Sequence, residues 1–176
     1  MATKTLYTVI VADDEDELRE AVCSMIPWQE YGFNLLGSAS NGLDALQLVE
    51  QYEPDLLLTD IRMPFISGIE LARHVREVRP ATNIAFLSGY DDFEYAKTAV
   101  KYQVMDYILK PITARELAQT LTRVKEKLDE ERFQKSDMKR IRGAYMSNLP
   151  ILRGRFLNSL LMGNVGAVSY THLRAH

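Results

Sequence analysis

The chain has 176 residues, of which 47% are hydrophobic and 26% are charged, and its formal net charge is −3. This length allows one domain with a substantial core and a shorter appendage. The small net charge gives no indication of a nucleic-acid or membrane partner, and the single cysteine, Cys23, excludes an internal disulfide. No run has the pattern of a signal peptide or the length of a membrane span, so we expect a cytoplasmic protein.

Five short apolar runs, each expected to form a β-strand, alternate with five segments of helical periodicity. The expected strands are residues 6–12, 33–39, 55–60, 83–88 and 105–110. In the segments between and after them, apolar residues recur at i, i+3 and i+4 with charges between them, as in amphipathic helices. These apolar stripes begin at Leu18, Ala45, Ile69, Phe93 and Leu117. The capping-box pattern of Thr113 and Glu116 marks the start of the fifth and longest helix.

Strand and helix alternating at this spacing predict an α/β fold with a five-stranded parallel sheet. Right-handed crossovers place helices on both faces of such a sheet. The third strand supports this prediction, since Leu56, Leu57 and Leu58 form a continuous apolar run and central parallel strands are buried on both faces. The common flavodoxin-like strand order, 2-1-3-4-5, makes the first and third strands neighbours.

Polar residues lie at the carboxyl ends of four of the expected strands. Asp13 and Asp14 follow the first strand, and the other positions are Asp60, Ser88 and Lys110. Each residue alone has an ordinary explanation as a cap, a turn residue or a solvated lysine. In open α/β sheets, however, ligands bind at the carboxyl edge where the strand order reverses. The order 2-1-3-4-5 brings the three acids together there, so the sequence predicts a site.

The residue types at this edge suit phosphoryl chemistry. Three crowded carboxylates repel one another, so either one binds a proton or a cation lies among them. Oxygen-only ligands suit a hard ion such as Mg²⁺. An ammonium and a hydroxyl beside this ion can stabilise the oxygens of a phosphoryl group. An aspartate can itself attack phosphorus and form an acyl phosphate.

The segments "VIVADDE", "LLLTDIRMPFISGIEL", "IAFLSGY" and "DYILKP" resemble the receiver domain of bacterial two-component response regulators. The resemblance covers residues 4–128 and implies that Asp60 is the phospho-acceptor. It further implies that Asp14 and Asp60 hold Mg²⁺ together with the backbone carbonyl of Arg62. Asp13 would take part mostly through water.

The same resemblance assigns roles to the fourth and fifth strands. Ser88 and Lys110 would bind the phosphoryl oxygens, and the Lys110–Pro111 peptide bond would be cis. Tyr107 matches the family's switch aromatic, although aromatic residues also pack in strands without any such role. The family's phosphodonor is a sensor histidine kinase, and phosphorylation would promote a homodimer through the fourth helix, the fifth strand and the fifth helix.

"MIPWQEYGF" and "RFLNSLLMG" look more specifically like regulators with a C-terminal AraC-type helix-turn-helix. No such motif is recognisable after residue 131, so DNA binding is expected only through an effector domain absent from this chain. The expected domains are a receiver over residues 4–130, a helical linker over residues 131–162, and a vector-derived or disordered tail over residues 163–176.

Two other function classes fit parts of the pattern. A haloacid-dehalogenase-like phosphatase also uses Asp, Ser or Thr, Lys and Mg²⁺, and Asp14 with Asp16 resembles its D-x-D motif. Leu18, however, stands where that family usually has Thr or Val, and no cap domain is evident. A phosphorylation-independent docking module on the same fold is the second alternative. The receiver interpretation predicts no enzyme beyond self-phosphorylation and autodephosphorylation.

Overall fold

The computed structural model describes residues 6–89 and 102–161, with side chains as far as Gly143. The fourth predicted helix, residues 93–100, and the predicted tail, residues 163–176, lie outside the described residues. The described elements in chain order are β1 (Tyr7–Ala12), α1 (Asp16–Ser24), β2 (Phe33–Ala39), α2 (Gly42–Tyr52), β3 (Leu56–Asp60), α3 (Gly68–Val78), β4 (Asn83–Ser88), β5 (Asp106–Leu109) and α4 (Ala114–Leu161). The fifth predicted helix is therefore α4.

The strands form one five-stranded sheet in the order β2-β1-β3-β4-β5, and every pairing is parallel. The predicted fold class and strand order are confirmed. β2 and β4 have the predicted bounds, and the other strands are one or two residues shorter, a usual uncertainty at strand ends. Asp55 was predicted as the first residue of the third strand, but β3 begins at Leu56. The Asp55 carboxylate instead bonds to Thr8 of the neighbouring strand.

Helices cover both faces of the sheet, as predicted. Alternate β1 residues point to opposite faces. Val9 and Val11 belong to a cluster that includes Val22 of α1 and Leu117 of α4. Ile10 and Ala12 belong to a second cluster, with Ala45 of α2 and Leu71 of α3. Leu56, Leu57 and Leu58 are fully buried, so β3 is a central strand between these two layers.

Side chains cap three of the helices. Asn41 accepts a hydrogen bond from the backbone N–H of Asp44 at the start of α2. Ser67 and Glu70 form a capping box at α3. The capping box predicted for Thr113 and Glu116 is also confirmed, with both side-chain-to-backbone bonds at 3.2 Å. These caps satisfy backbone N–H groups that have no partner inside the helix.

The chain divides into two compact units, Met1–Leu128 and Asp129–His176. In the first unit, α4 buries Leu121, Val124 and Leu128 in the sheet's core. The second unit is helical as far as Leu161, and the predicted linker and tail boundaries stay predictions. Within residues 6–89 and 102–161, we find no helix with the length and apolar content needed to cross a bilayer.

Candidate functional site

The three predicted acids meet at the carboxyl edge of the sheet. Carboxylate oxygens of Asp13, Asp14 and Asp60 all lie within 4.8 Å of one another. This proximity follows from the pairing of β1 with β3, in which Ala12 lies opposite Thr59, so both strands deliver their next residues to the same place. Asp13 and Asp60 are buried, and Asp14 is exposed. The cluster is therefore open to solvent on the Asp14 side.

Lys110 reaches this cluster from the end of β5. Its Nζ lies 3.1 Å from Asp13 Oδ2, 3.1 Å from Asp60 Oδ1 and 3.0 Å from Glu15 Oε1. The Lys110 backbone N–H donates to the carbonyl of Ser88 at 2.6 Å, which holds the residue beside β4. The Lys110–Pro111 peptide bond is cis, as the family resemblance implies.

Burial and charge act in opposite directions on these groups. Burial raises the pKa of Asp60, although the charge and hydrogen bond of Lys110 act to lower it. Burial likewise raises the pKa of Asp13, against the hydrogen bond from the Glu15 N–H and the nearby charge of Lys110. For Lys110, burial lowers the pKa, but its hydrogen bond to Glu15 and the charges of Asp60 and Asp13 raise it overall. One cation therefore faces several carboxylates, so the edge has an excess of negative charge.

The donor set fits a divalent metal ion. Asp13 Oδ2 is buried and has no hydrogen bond, because its contact with Lys110 is an ion pair outside hydrogen-bond geometry. A buried oxygen in this position usually has a partner such as water or an ion. Three convergent carboxylates, one of them exposed, are the oxygen-rich ligands that Mg²⁺ prefers while keeping several waters.

The loop after β3 holds Asp60 in place. The backbone N–H of Arg62 donates to Asp60 Oδ2 at 3.2 Å, and the metal-binding role expected of the Arg62 carbonyl stays a prediction. A Cβ added to Gly68 would lie 1.9 Å from the carbonyl oxygen of Asp60. At Gly42 an added Cβ would lie 2.0 Å from the carbonyl oxygen of Ile66. Both helix starts thus need glycine, because α2 and α3 pack directly on this loop.

Ser88 and Tyr107 form a connected pair beside the acids. Ser88 ends β4 one residue beyond Leu87, which lies opposite Asp60, so it belongs to the same edge. Its hydroxyl donates to the carbonyl of Gly89 at 2.9 Å and lies 2.6 Å from the Tyr107 hydroxyl. Tyr107 also packs edge-to-face on Phe86, with ring centroids 6.3 Å apart. The aromatic ring is therefore directed toward the site, and its switching role stays a prediction.

Two features of the site were not assigned from sequence. Glu15 contacts Lys110, and its only sequence signal is its place directly after the acid pair. Phe65, in the loop after β3, has a φ of 67° and a residue exposure of 83%. Nothing in the local sequence pattern indicates a left-handed backbone at a phenylalanine, since glycine and asparagine are the usual residues there.

Comparison with known proteins agrees with this geometry. Residues 9–122 match the family described as "Response regulator receiver domain". The transcriptional regulatory protein HptR of Staphylococcus aureus is 39% identical over 129 residues, which are 73% of this chain and 50% of HptR. The chain thus spans about half the length of the curated relatives it matches.

Solved structures agree as well. The receiver domain of AraT, a response regulator from Geobacillus stearothermophilus, is 36% identical, with a TM-score of 0.70 over 72% of this chain and 98% of that one. A two-component transcriptional regulator AraC from Clostridium phytofermentans is 32% identical, with a TM-score of 0.66 over the same shares. The family match covers more than half of the chain, and the described sheet has the family's strand order. The chain therefore belongs to the response regulator receiver domain family, as its motifs predicted.

Proposed function

We propose that this chain is a phosphorylatable receiver in which Asp60 accepts a phosphoryl group from the phosphohistidine of a sensor histidine kinase. The observation that carries the proposal is the contact of one lysine with a buried acid pair. Lys110 Nζ lies 3.1 Å from both Asp60 and Asp13, next to the exposed Asp14. This constellation has a nucleophile, a cation for the developing charge and a set of metal ligands in one place.

The Asp60 carboxylate is the nucleophile. One of its oxygens attacks phosphorus, the bond between phosphorus and the histidine nitrogen breaks, and the imidazole leaves with the electron pair. The carboxylate must be ionised to attack, and Lys110 favours this form despite the burial that raises its pKa. Mg²⁺, when held by Asp13, Asp14 and Asp60 with the Arg62 carbonyl, supplies neutralisation of the phosphoryl oxygens.

The new charge at Asp60 is the switch. Lys110 and the Ser88 hydroxyl turn to the phosphoryl oxygens, and Ser88 donates its O–H to phosphate instead of to the Gly89 carbonyl, which also takes its oxygen away from the Tyr107 hydroxyl. Release of the Tyr107 hydroxyl changes the surface of β5 and the first part of α4. This is a local charge change acting on a two-state element, and a nearly complete shift needs about 5.5 kcal/mol of differential binding.

The output follows from the relatives that the chain resembles. The altered face promotes a homodimer, and residues 131–162 form a linker to an effector of AraC type, through which alone DNA is bound. The protein works in the bacterial cytoplasm, has no membrane partner, and catalyses nothing beyond its own phosphorylation and dephosphorylation.

Intact mass of the full chain, before and after incubation with acetyl phosphate and Mg²⁺, tests the proposal. We expect one added phosphoryl group, mapped to Asp60, and none in Asp60→Asn. Stoichiometric uptake by Asp60→Asn would contradict the assignment. A phosphoryl group on Asp14, with many turnovers of a small phosphoester, would favour the phosphatase alternative. Uptake at Asp60 without any change in oligomeric state would favour a docking module.

A further inference from the structure

Glu15 gives the Lys110 ammonium a third carboxylate neighbour. Glu15 Oε1 accepts a hydrogen bond from Lys110 Nζ at 3.0 Å, while Asp13 and Asp60 each lie 3.1 Å from the same nitrogen. Glu15 accepts the hydrogen bond that the ammonium donates, whereas Asp13 and Asp60 contact it as ion pairs. A phosphoryl group on Asp60 that binds this ammonium therefore competes with Glu15 for it.

The three carboxylates differ in how readily they can be displaced. Asp13 and Asp60 are almost completely buried, whereas the Glu15 side chain is 64% exposed. The Glu15 backbone is fixed, because its N–H donates to Asp13 Oδ1 at 2.9 Å and its carbonyl accepts from Arg19 at the start of α1. The side chain alone can therefore turn into solvent, and an exposed ion pair of this kind is weak.

We propose that Glu15 is the displaceable resting-state partner of Lys110 and competes with the phosphoryl group for its ammonium. The inference rests on the proposed function, since it concerns the strength with which the same site takes up a phosphoryl group. In the unphosphorylated protein, Glu15 holds the ammonium at the rim of the site. When Asp60 carries the phosphoryl group, Lys110 turns to its oxygens, and Glu15 is repelled by the added negative charge.

This role predicts the sign of a substitution. Loss of the Glu15 charge frees one ammonium donor and removes a repulsion, so a phosphoryl analogue binds more tightly. The expected gain is about two- to fivefold, the range of an exposed ion pair. A residue that merely positioned Lys110 for phosphate would have the opposite effect, since its removal would weaken binding.

Beryllofluoride, with Mg²⁺, is the probe for the full chain, and its dissociation constant can be measured by ¹⁹F NMR or calorimetry. The test variant is Glu15→Gln. The matched control is Glu17→Gln, which removes the same charge from the first turn of α1, at a residue that forms no ion pair with Lys110 among the described residues. Glu15→Asp keeps the charge on a shorter side chain, so we expect it to bind the probe between the wild type and Glu15→Gln.

The expected result is tighter binding by Glu15→Gln, with Glu17→Gln within about 1.5-fold of the wild type. The difference between the two variants should shrink as salt rises, because salt screens exposed charges. Equal affinities for the two variants, or weaker binding by Glu15→Gln, would overturn the role of Glu15 alone. Equal binding by Asp60→Asn and the wild type would overturn the proposed function, and this inference with it.

Discussion

Charged side chains at the two edges of the sheet differ in burial and in hydrogen bonding. At the amino edge, Asp55 Oδ2 accepts from the backbone N–H and the hydroxyl of Thr8 at 2.8 and 2.9 Å. The Thr8 hydroxyl in turn accepts from the backbone N–H of Asp55 at 3.0 Å. At the carboxyl edge, Asp13 and Asp60 are more deeply buried, burial raises the pKa of both, and Asp13 Oδ2 has no hydrogen bond.

This difference separates a structural charge from a functional one. A half-buried charge with a full set of hydrogen bonds stabilises the fold, and its removal leaves other groups without partners. A crowded charge with too few hydrogen-bond partners destabilises the fold and is available to bind a ligand. Substitutions at the amino edge should therefore lower stability, and neutral substitutions at the carboxyl edge should raise it.

The largest expected effect is at Arg76, which lies in the last turn of α3 at the amino edge. Its guanidinium donates to four backbone carbonyls, which belong to Pro80, Thr82, Tyr102 and Gln103. Arg76→Met keeps much of the aliphatic side chain but leaves these carbonyls without their cation. We expect the free energy of unfolding to fall by about 2–4 kcal/mol in urea denaturation.

Arg73→Met is the matched control, since Arg73 is an exposed arginine on the same helix. Its free energy of unfolding should stay within about 0.5 kcal/mol of the wild type. A loss below about 1 kcal/mol for Arg76→Met would mean that water replaces the guanidinium at these carbonyls. The conclusion that charged side chains at the amino edge stabilise the fold would then be wrong.

The second effect is stabilisation by Mg²⁺, which should depend on the carboxyl edge alone. At a concentration one hundred times its dissociation constant, a ligand of the folded state adds about 2.7 kcal/mol to the free energy of unfolding. We expect thermal unfolding of the wild type to shift upward with MgCl₂. The same salt should have little effect on a double variant, Asp13→Asn with Asp60→Asn.

Asp55→Asn is the control at the amino edge, because its amide oxygen can still accept from Thr8. This variant should keep the full response to Mg²⁺. An equal shift in unfolding temperature for the wild type, the double variant and Asp55→Asn would contradict the assignment of the metal to the three-acid cluster. The same shift with NaCl at matched ionic strength would contradict it too.

The carboxyl edge was more predictable from sequence than the amino edge. Asp13, Asp14 and Asp60 were found because each lies at the carboxyl end of a strand, and parallel strands end at a common edge. Contacts of long side chains do not follow from strand order. Arg76 reaches carbonyls 26 and 27 residues away, and no local pattern indicates that.

The start of β3 shows the same limit on a smaller scale. Asp55 was assigned to the third strand because it adjoins an apolar run, and only the paired strand shows that its side chain bonds to Thr8. For Glu15, the choice between solvent and Lys110 depends on where the end of β5 places Lys110, which is 95 positions away in the chain. Periodicity fixes the order of the elements, whereas such contacts depend on the final packing.

A smaller effect is the pH dependence of stability at the carboxyl edge without Mg²⁺. Since the folded-state pKa of Asp13 and Asp60 is raised, the folded protein binds more protons than the unfolded chain at pH values just above 4. The contribution of these two acids to stability therefore falls as pH rises from about 4 through their folded pKa values. Asp13→Asn should weaken this slope and add up to about 1 kcal/mol at pH 7.

Urea denaturation at several pH values in EDTA measures this slope. Asp55→Asn serves again as the comparison, because it removes a carboxylate at the opposite edge of the sheet, outside the three-acid cluster. A steeper decline with pH in Asp13→Asn than in the wild type would contradict the assignment of excess negative charge to the carboxyl edge.

The smallest effect is expected where a residue with a positive backbone φ is replaced by glycine, at one position on each edge. Phe65 has a φ of 67°, a conformation that costs about 1–2 kcal/mol for a residue with a Cβ, and its side chain is largely exposed. Phe65→Gly relieves that strain but loses about 0.5–1 kcal/mol because glycine is more flexible when unfolded. The net expectation is a gain of about 0.5 kcal/mol in the free energy of unfolding.

Glu53, at the end of α2, has a φ of 46°, but its carboxylate pairs with Arg79 at 2.8 Å. The backbone gain of Glu53→Gly is therefore offset by a lost ion pair worth up to about 1 kcal/mol. Parallel urea titrations should rank Phe65→Gly above Glu53→Gly in stability. The reverse order would show that the exposed Phe65 ring stabilises the loop after β3. Contacts of this ring would then offset part of the cost of the crowded charges at the carboxyl edge.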